Sequence, residues 1–432
     1  MKNKAKLFAL IPLIFFSVSG GPYGLEEIIS SIGPLNTLLV IVILPVVWTI
    51  PETMIVAELS STYPVQGGYY RWVQMGLGKF WGFMEGWWSV LFTLIDLSLY
   101  PILFTTYLKI IFPDLQFWSV YIIQLLMIWS CALINILGIK TVGNFLVFFK
   151  TFILVLFLFF IFLGFSHSSF DISYIFKSTN ELKTSNLLFG ISLAFWNFIG
   201  WDSGSTVLGE IDNPSRNYHK AVFITIPIVV FFYFFPVLIG LGIHHDWQSW
   251  KFGEFTYIAN SIGQPFLGLL LAIGGMIMCL GLFNSLLLSS SRIISIMAQD
   301  KFFPKIFTKN HVTFNTPFIA IIFACLIYSF LVLFSFKNLI VYDVFLYIIA
   351  LFLEALALLF LRNKNPGLHT KFKIPFGNFG LYLSFGLVTL MILLMFFINC
   401  FSVHATLIES LFPLVLILSG IPLYMIFNNH QT

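Results

Sequence analysis

Long apolar stretches separated by short polar loops run along almost the whole chain. A bilayer core needs about 20 apolar residues per helix, and by that measure the pattern predicts about twelve transmembrane helices. The predicted spans are residues 7–32, 36–60, 80–108, 117–137, 143–165, 187–211, 220–243, 266–298, 317–336, 339–361, 379–401 and 405–427. The loops between them are too short for a soluble domain, so we expect a single transmembrane domain over residues 1–432.

Composition supports an integral membrane protein. Hydrophobic residues make up 59% of the chain and charged residues only 9%, whereas a soluble domain carries about 25% charged residues. The net charge of +4 is spread without a lysine–arginine run, so nucleic acid is not an expected partner. The four cysteines stand singly in apolar stretches, without the spacing of metal ligands. We therefore expect neither a metal nor a cofactor.

Lysine and arginine concentrate on one side of the predicted spans. With the N-terminus inside, 17 of the 22 cationic residues fall on the cytoplasmic side, counting Lys150 toward its nearer face. Cytoplasmic loops of membrane proteins carry such an excess. We therefore expect both termini in the cytoplasm, and a multi-pass protein of the plasma (inner) membrane.

Two of the predicted spans contain helix-breaking interruptions. The first span contains "SGGPYG", residues 19–24, and the sixth contains "LAFWNFIGWDSGSTV", residues 193–207. Lipid offers no hydrogen-bond partner for the freed backbone groups. One such break often marks a packing kink, but paired breaks in two five-span halves are typical of transporters built from inverted repeats. The pattern predicts a substrate site at mid-membrane, where freed amides favour an anion, and freed carbonyls and acids favour an amine.

Four segments resemble the amino acid–polyamine–organocation superfamily of permeases, and the first is closest to its polyamine-uptake and amino acid permease branch. They are "SGGPYGLEE", "IPETMIVAELSSTYPVQGGYYRWVQMGLG", "FWNFIGWDSGS" and "GEIDNPSRNYHKA". The resemblance implies an all-α membrane protein with a LeuT-like 5+5 inverted repeat and discontinuous helices 1 and 6. The ten-helix core would cover residues 7–361 and two peripheral helices residues 379–427. It also implies secondary active transport by alternating access.

The predicted substrate-binding residues lie at the two breaks: Ser19, Gly20, Gly21, Gly24, Glu26, Glu27, Trp196, Asn197, Gly200 and Asp202. Charged groups in lipid are costly and mark functional sites, so proton coupling is assigned to Lys150, Asp202, Asp96 and Glu85. The resemblance implies that Trp196 covers the substrate, and that Asp202 and Lys150 match groups that serve coupling in relatives. Plainer roles stay open, because Glu26 and Glu27 can satisfy free amides and Lys150 can reach the cytoplasm.

The leading functional hypothesis is a proton-coupled importer of amino acids. The first alternative is a polyamine symporter that uses Glu26, Glu27 and Asp202 as amine ligands. The polyamine-uptake branch lacks a lysine at the position of Lys150, and a cation there would oppose a polyamine. An alternative of another class is a nutrient sensor on a permease scaffold. An enzyme is disfavoured, because the sequence contains no nucleophile–base arrangement, phosphate loop or metal spacing.

Overall fold

The computed structural model describes residues 4–177, 184–334, 336–365, 370–401 and 407–429, and within these ranges the regular structure is helical. The α-helices in chain order are α1 (Leu7–Val18), α2 (Glu26–Ile32), α3 (Pro34–Leu44), α4 (Ile50–Thr62), α5 (Gly68–Leu77), α6 (Lys79–Ile111), α7 (Phe117–Ile136), α8 (Ile139–Phe165), α9 (Ser173–Lys177), α10 (Thr184–Trp196), α11 (Pro214–Ile243), α12 (Glu254–Ser261), α13 (Pro265–Gln299), α14 (Phe318–Leu331), α15 (Phe336–Lys364), α16 (Gly377–Phe401) and α17 (Leu407–Asn429). A π-helical turn, Pro45–Thr49, joins α3 and α4 into one bent helix.

Eight helices in the described ranges are long and apolar enough to cross a membrane. They are Pro34–Thr62, Lys79–Ile111, Phe117–Ile136, Ile139–Phe165, Pro214–Ile243, Pro265–Gln299, Asp343–Lys364 and Gly377–Phe397. Shorter apolar helices are Leu7–Val18, Phe318–Leu331 and Leu414–Asn428. The protein is therefore an all-helical, multi-pass integral membrane protein. The count of twelve spans and the inverted-repeat topology stay predictions.

The first predicted span is interrupted in the structure. Helix α1 ends at Val18, because Ser19 is extended (φ −143°, ψ 148°). Gly21 and Gly24 then have φ of 97° and 93°, the left-handed region that favours glycine. The chain becomes helical again in α2 at Glu26. The break lies where "SGGPYG" predicted it.

The sixth predicted span is interrupted in the same manner. Helix α10 ends at Trp196, residues 197–202 are not helical, and a 3₁₀-helix follows over Ser203–Glu210. Gly200 has φ of 97°, and a Cβ atom there would lie 2.2 Å from the carbonyl oxygen of Ser17 at the end of α1. Only glycine allows the second break to approach the first helix this closely.

The first break is held against two long helices, α8 and α13. Helix α6 packs extensively on α13 and α15, and α13 also packs on α8 and α1. A Cβ atom at Gly20 would overlap the Met278 side chain on α13, and one at Gly21 would lie 2.9 Å from the Ile153 side chain on α8. The first unwound segment is therefore wedged between α8 and α13.

Candidate functional site

The two unwound segments contact each other directly. The side-chain amide of Asn197 donates to the carbonyl of Gly24 at 3.5 Å, and a Cβ atom at Gly24 would lie 3.1 Å from Asn197 Oδ1. The carbonyl of Asn197 in turn accepts from the Tyr233 hydroxyl at 2.8 Å. All of these residues are buried. The structure thus brings the two predicted halves of the site together inside the protein.

Two amides freed by the first break are already occupied by side chains. The N–H of Gly21 donates to Ser19 Oγ at 3.1 Å, and the N–H of Gly24 donates to Glu26 Oε2 at 2.8 Å. Glu26 is fully buried and also accepts from the N–H of Gly253 at 3.3 Å. Glu27, its neighbour, is only partly buried. Glu26 therefore satisfies free amides, which was one of the two roles predicted for it.

Trp196 lies beside an acid on α6. Its indole N–H donates to Asp96 Oδ1 at 2.9 Å, and the Tyr100 hydroxyl lies 2.9 and 3.0 Å from the two oxygens of the same carboxyl. The rings of Tyr100 and Trp196 are stacked with centroids 6.1 Å apart. Asp96, which was assigned to proton coupling, thus shares its surroundings with the residue predicted to cover the substrate.

A second acid, Asp343, lies on α15, the helix that packs against α6 beside Asp96. Asp343 is fully buried, and neither of its oxygens receives a hydrogen bond from a described donor. We call Asp96 and Asp343 the Asp96 pair. The sequence analysis missed Asp343, although an acid inside the predicted span 339–361 was a sufficient signal.

Four more acids meet beyond the second break, and we call them the Asp202 cluster: Glu52, Glu85, Asp202 and Glu354. The Tyr347 hydroxyl lies 2.5 Å from Glu52 Oε1 and 2.8 Å from Asp202 Oδ1. Glu354 on α15 and Glu85 on α6 are fully buried acids on two helices that pack against each other. Glu85 accepts from the Ser89 hydroxyl at 3.3 Å. Sequence reasoning placed Asp202 and Glu85 in the site but not Tyr347.

No basic residue in the described part of the chain pairs with these acids. The ion pairs of the described residues are Arg71–Asp300, His244–Glu254, Arg292–Glu210 and Arg362–Glu58. None of them involves Glu26, the Asp96 pair or the Asp202 cluster, all of which are buried. The centre of the protein therefore concentrates carboxyl groups without a compensating cation from the described part of the chain. Such an arrangement is costly unless protons or a bound cation neutralise it.

Lys150 lies on α8 beside the start of α1. It is half-buried on α8, and its Nζ lies 5.9 Å from the ring centroid of Phe8, which is 70% exposed at the start of α1. Within the described ranges it forms no ion pair with Asp202 or any other acid. A direct ion pair between Lys150 and Asp202 is therefore absent among the described residues, and a coupling role for either residue stays a prediction.

The segment before α1 forms backbone hydrogen bonds with residues that follow the second break. Ala5 donates its N–H to the carbonyl of Glu210 and accepts from the N–H of Asp212, both at 2.9 Å. Arg292, which is 3% exposed, pairs with Glu210 at 3.0 Å. The chain ahead of α1 is therefore strapped to the segment that follows the second break.

The chain is similar to known transporters over most of its length. The amino acid permease family matches residues 10–422. The polyamine transporter RMV1 of Arabidopsis thaliana is 34% identical over 381 residues, which cover 88% of this chain and 77% of that protein. The polyamine transporter PUT1 of Oryza sativa subsp. japonica is 31% identical, over 88% of this chain and 72% of that protein. The serine/threonine exchanger SteT of Bacillus subtilis is 25% identical, over 76% and 75%.

Together with the apolar helices, these similarities define a membrane transporter rather than an enzyme. The chain belongs to the amino acid permease family, within the amino acid–polyamine–organocation superfamily. This confirms the resemblance carried by the four sequence segments. A small-molecule substrate and a lipid bilayer are the partners that the family implies.

Proposed function

We propose that the protein transports polyamines, which are flexible aliphatic cations with two or more amino groups. The observation that supports the proposal most directly is the set of buried carboxyl groups around the two breaks, which have no basic partner among the described residues. A cation is the ligand that offsets the cost of burying these charges. The polyamine transporters among the similar proteins support the same substrate class.

Amino acid transport is the second candidate, and it was the leading hypothesis from the sequence. The description of the family and the similarity to a serine/threonine exchanger favour it. A zwitterion, however, needs donors for its carboxylate, and the N–H groups of Gly21 and Gly24 already donate to Ser19 and Glu26. Lys150, whose charge favoured a zwitterion, lies beside Phe8 instead. The site geometry therefore favours the amine.

Proteoliposome uptake tests the choice of substrate. We expect labelled spermidine to accumulate, unlabelled putrescine and spermine to compete with it, and neutral amino acids such as serine to have no effect. Uptake of serine that spermidine fails to inhibit would overturn the proposal in favour of amino acid transport. Binding of either ligand without uptake would favour the nutrient sensor.

We further propose that protons drive uptake through the Asp202 cluster, in a twelve-span inverted repeat with both termini in the cytoplasm. The Tyr347 hydroxyl has one proton but contacts two carboxyl groups. One of the two carboxyl groups must therefore donate to the Tyr347 oxygen, which requires a proton on that carboxyl. The geometry therefore implies bound protons beside the second break.

Asp202→Asn tests this coupling. The amide keeps the shape of the side chain but cannot exchange a proton, so we expect uptake to become indifferent to an imposed pH gradient. The matched control is Asp114→Asn, which removes a carboxylate from an exposed loop position. Accumulation that still follows the gradient in Asp202→Asn would exclude Asp202 as the coupling group.

A further inference from the structure

The acids on helices α6 and α15 face one another as a ladder. The rings of Phe92 and Tyr347 have centroids 5.1 Å apart, and a Cβ atom at Gly76, just ahead of α6, would lie 3.0 Å from Ala357 on α15. Residue numbers fall along α6 as they rise along α15, so the two helices run antiparallel. On each helix one acid lies four residues from the ring contact and another lies seven residues from it on the other side. This register defines three rungs: the Asp96 pair, an aromatic rung of Phe92 and Tyr347, and an acidic rung of Glu85 and Glu354.

The spacing of the two acidic rungs is the same on both helices. Glu85 and Asp96 are eleven residues apart in sequence, as are Asp343 and Glu354. Eleven residues are about three turns, so each pair of acids lies on one face of its helix, with an axial separation of about 16 Å. Two independent helices thus place acids at the same two levels of the molecule.

Each acidic rung has carboxyl oxygens without a described hydrogen-bond donor, although Asp96 accepts from Trp196 and Tyr100. Both oxygens of Asp343, both of Glu354 and Oε2 of Glu85 are buried and receive no hydrogen bond from a described donor. A carboxyl group whose role is to pin helices together would have a donor on the neighbouring helix. These groups instead present free acceptors to each other, which points to a ligand that supplies donors and positive charge at both levels.

The aromatic rung fits the part of a ligand that lies between two charged ends. Phe92 and Tyr347 are buried, and their ring faces and edges suit methylene groups or a cation. Each bond of an extended chain advances about 1.2 Å. A diamine with four methylenes therefore spans about 6 Å between its nitrogens, and a tetraamine such as spermine about 16 Å. Only the longer ligand reaches both acidic rungs at once.

We propose that the α6–α15 ladder is a two-station amine site that selects polyamines by length. One terminal ammonium binds the Asp96 pair beside Trp196, the alkyl chain passes the aromatic rung, and the other terminal ammonium binds Glu85 and Glu354. Protons occupy the Asp202 cluster when no ammonium is present there. This inference rests on the proposed polyamine function and adds a preference for long chains to it.

Binding of putrescine and spermine to the purified full-length protein tests the ladder. Each charged hydrogen bond gained at the second station strengthens binding, so we expect spermine to bind at least about tenfold more tightly than putrescine. Glu354→Gln should abolish most of this ratio, by weakening spermine and leaving putrescine nearly unchanged. Glu85→Gln should do the same from the facing helix, which keeps the test decisive if one variant does not fold. Asp343→Asn should weaken both ligands.

Asp114→Asn is the control, and its binding should equal that of the wild type. Equal affinity of the two ligands for the wild type, with both transported, would overturn the ladder and leave polyamine transport intact. An equal loss of affinity for both ligands in Glu354→Gln and Glu85→Gln would also overturn it. The rung of Glu85 and Glu354 would then not distinguish ligands by length. Failure of the wild type to bind either amine would overturn the proposed function itself.

Discussion

Asp96→Asn is expected to weaken polyamine binding about 100-fold, which is the effect of removing the charge of one buried partner. Asparagine has the same shape, and its side-chain oxygen still accepts the indole N–H of Trp196 at the position of Oδ1. The stacked pair of Trp196 and Tyr100 therefore stays in place. The substitution removes charge from the site while preserving its architecture. Equilibrium binding of labelled spermidine to the purified variant measures the effect.

The melting temperature of the same preparation separates a binding defect from a folding defect. Asp114→Asn provides the comparison, because it removes a carboxylate from an exposed loop position. Wild-type affinity in a stably folded Asp96→Asn protein would show that Asp96 serves only to orient Trp196. The amine would then have to bind other acids of the site.

Arg362→Met is expected to cause the largest loss of stability. Arg362 donates to both oxygens of Glu58, at 2.5 and 2.6 Å, and the two side chains are only 12% and 2% exposed. Removing the guanidinium leaves the Glu58 carboxylate buried without a cation. Among the described residues, the N–H of Ile374 would still donate to it. An unpaired buried charge of this kind costs about 3–5 kcal/mol. Thermal melting in detergent should show a clear decrease in melting temperature.

The double variant Glu58→Gln/Arg362→Met completes the test. Neutralising the carboxylate removes the buried charge, so the double variant should melt above Arg362→Met. If the double variant instead lost as much stability as Arg362→Met and Glu58→Gln lose together, the two side chains would not stabilise the protein as a pair. The stability of the contact between α4 and α15 would then have to come from apolar packing.

The length of the apolar stretches predicted the positions of the eight long helices, because a bilayer imposes both a length and an apolar composition on them. The breaks at Gly21 and Gly200 were predictable for a related reason, since glycine in a membrane helix stands out against an otherwise apolar stretch. The sequence alone does not show why these two positions must be glycine. A β-carbon at Gly21 would meet Ile153, and one at Gly200 would meet Ser17, so neighbouring segments of the protein set these positions.

The site was predicted only where it is local in sequence. Trp196, Asn197 and Asp202 share one segment, so a single pattern indicated all three. The ladder joins α6 to α15 across more than 240 residues of chain, as the contact between Phe92 and Tyr347 shows. A single sequence contains no signal for which acids face each other at that separation. The expected role of Lys150 came from a family pattern that places a lysine on this helix. The structure places its side chain beside Phe8.

The strap between Ala5 and the segment after the second break has a mechanical consequence. Two backbone hydrogen bonds join Ala5 to Glu210 and Asp212, and α1 starts at Leu7, only two residues later. A tether this short has almost no slack, so a displacement of either interrupted helix is transmitted to the other and to the chain ahead of α1. A spectroscopic probe attached at Lys4 would therefore move with both interrupted helices and report their movement as one signal.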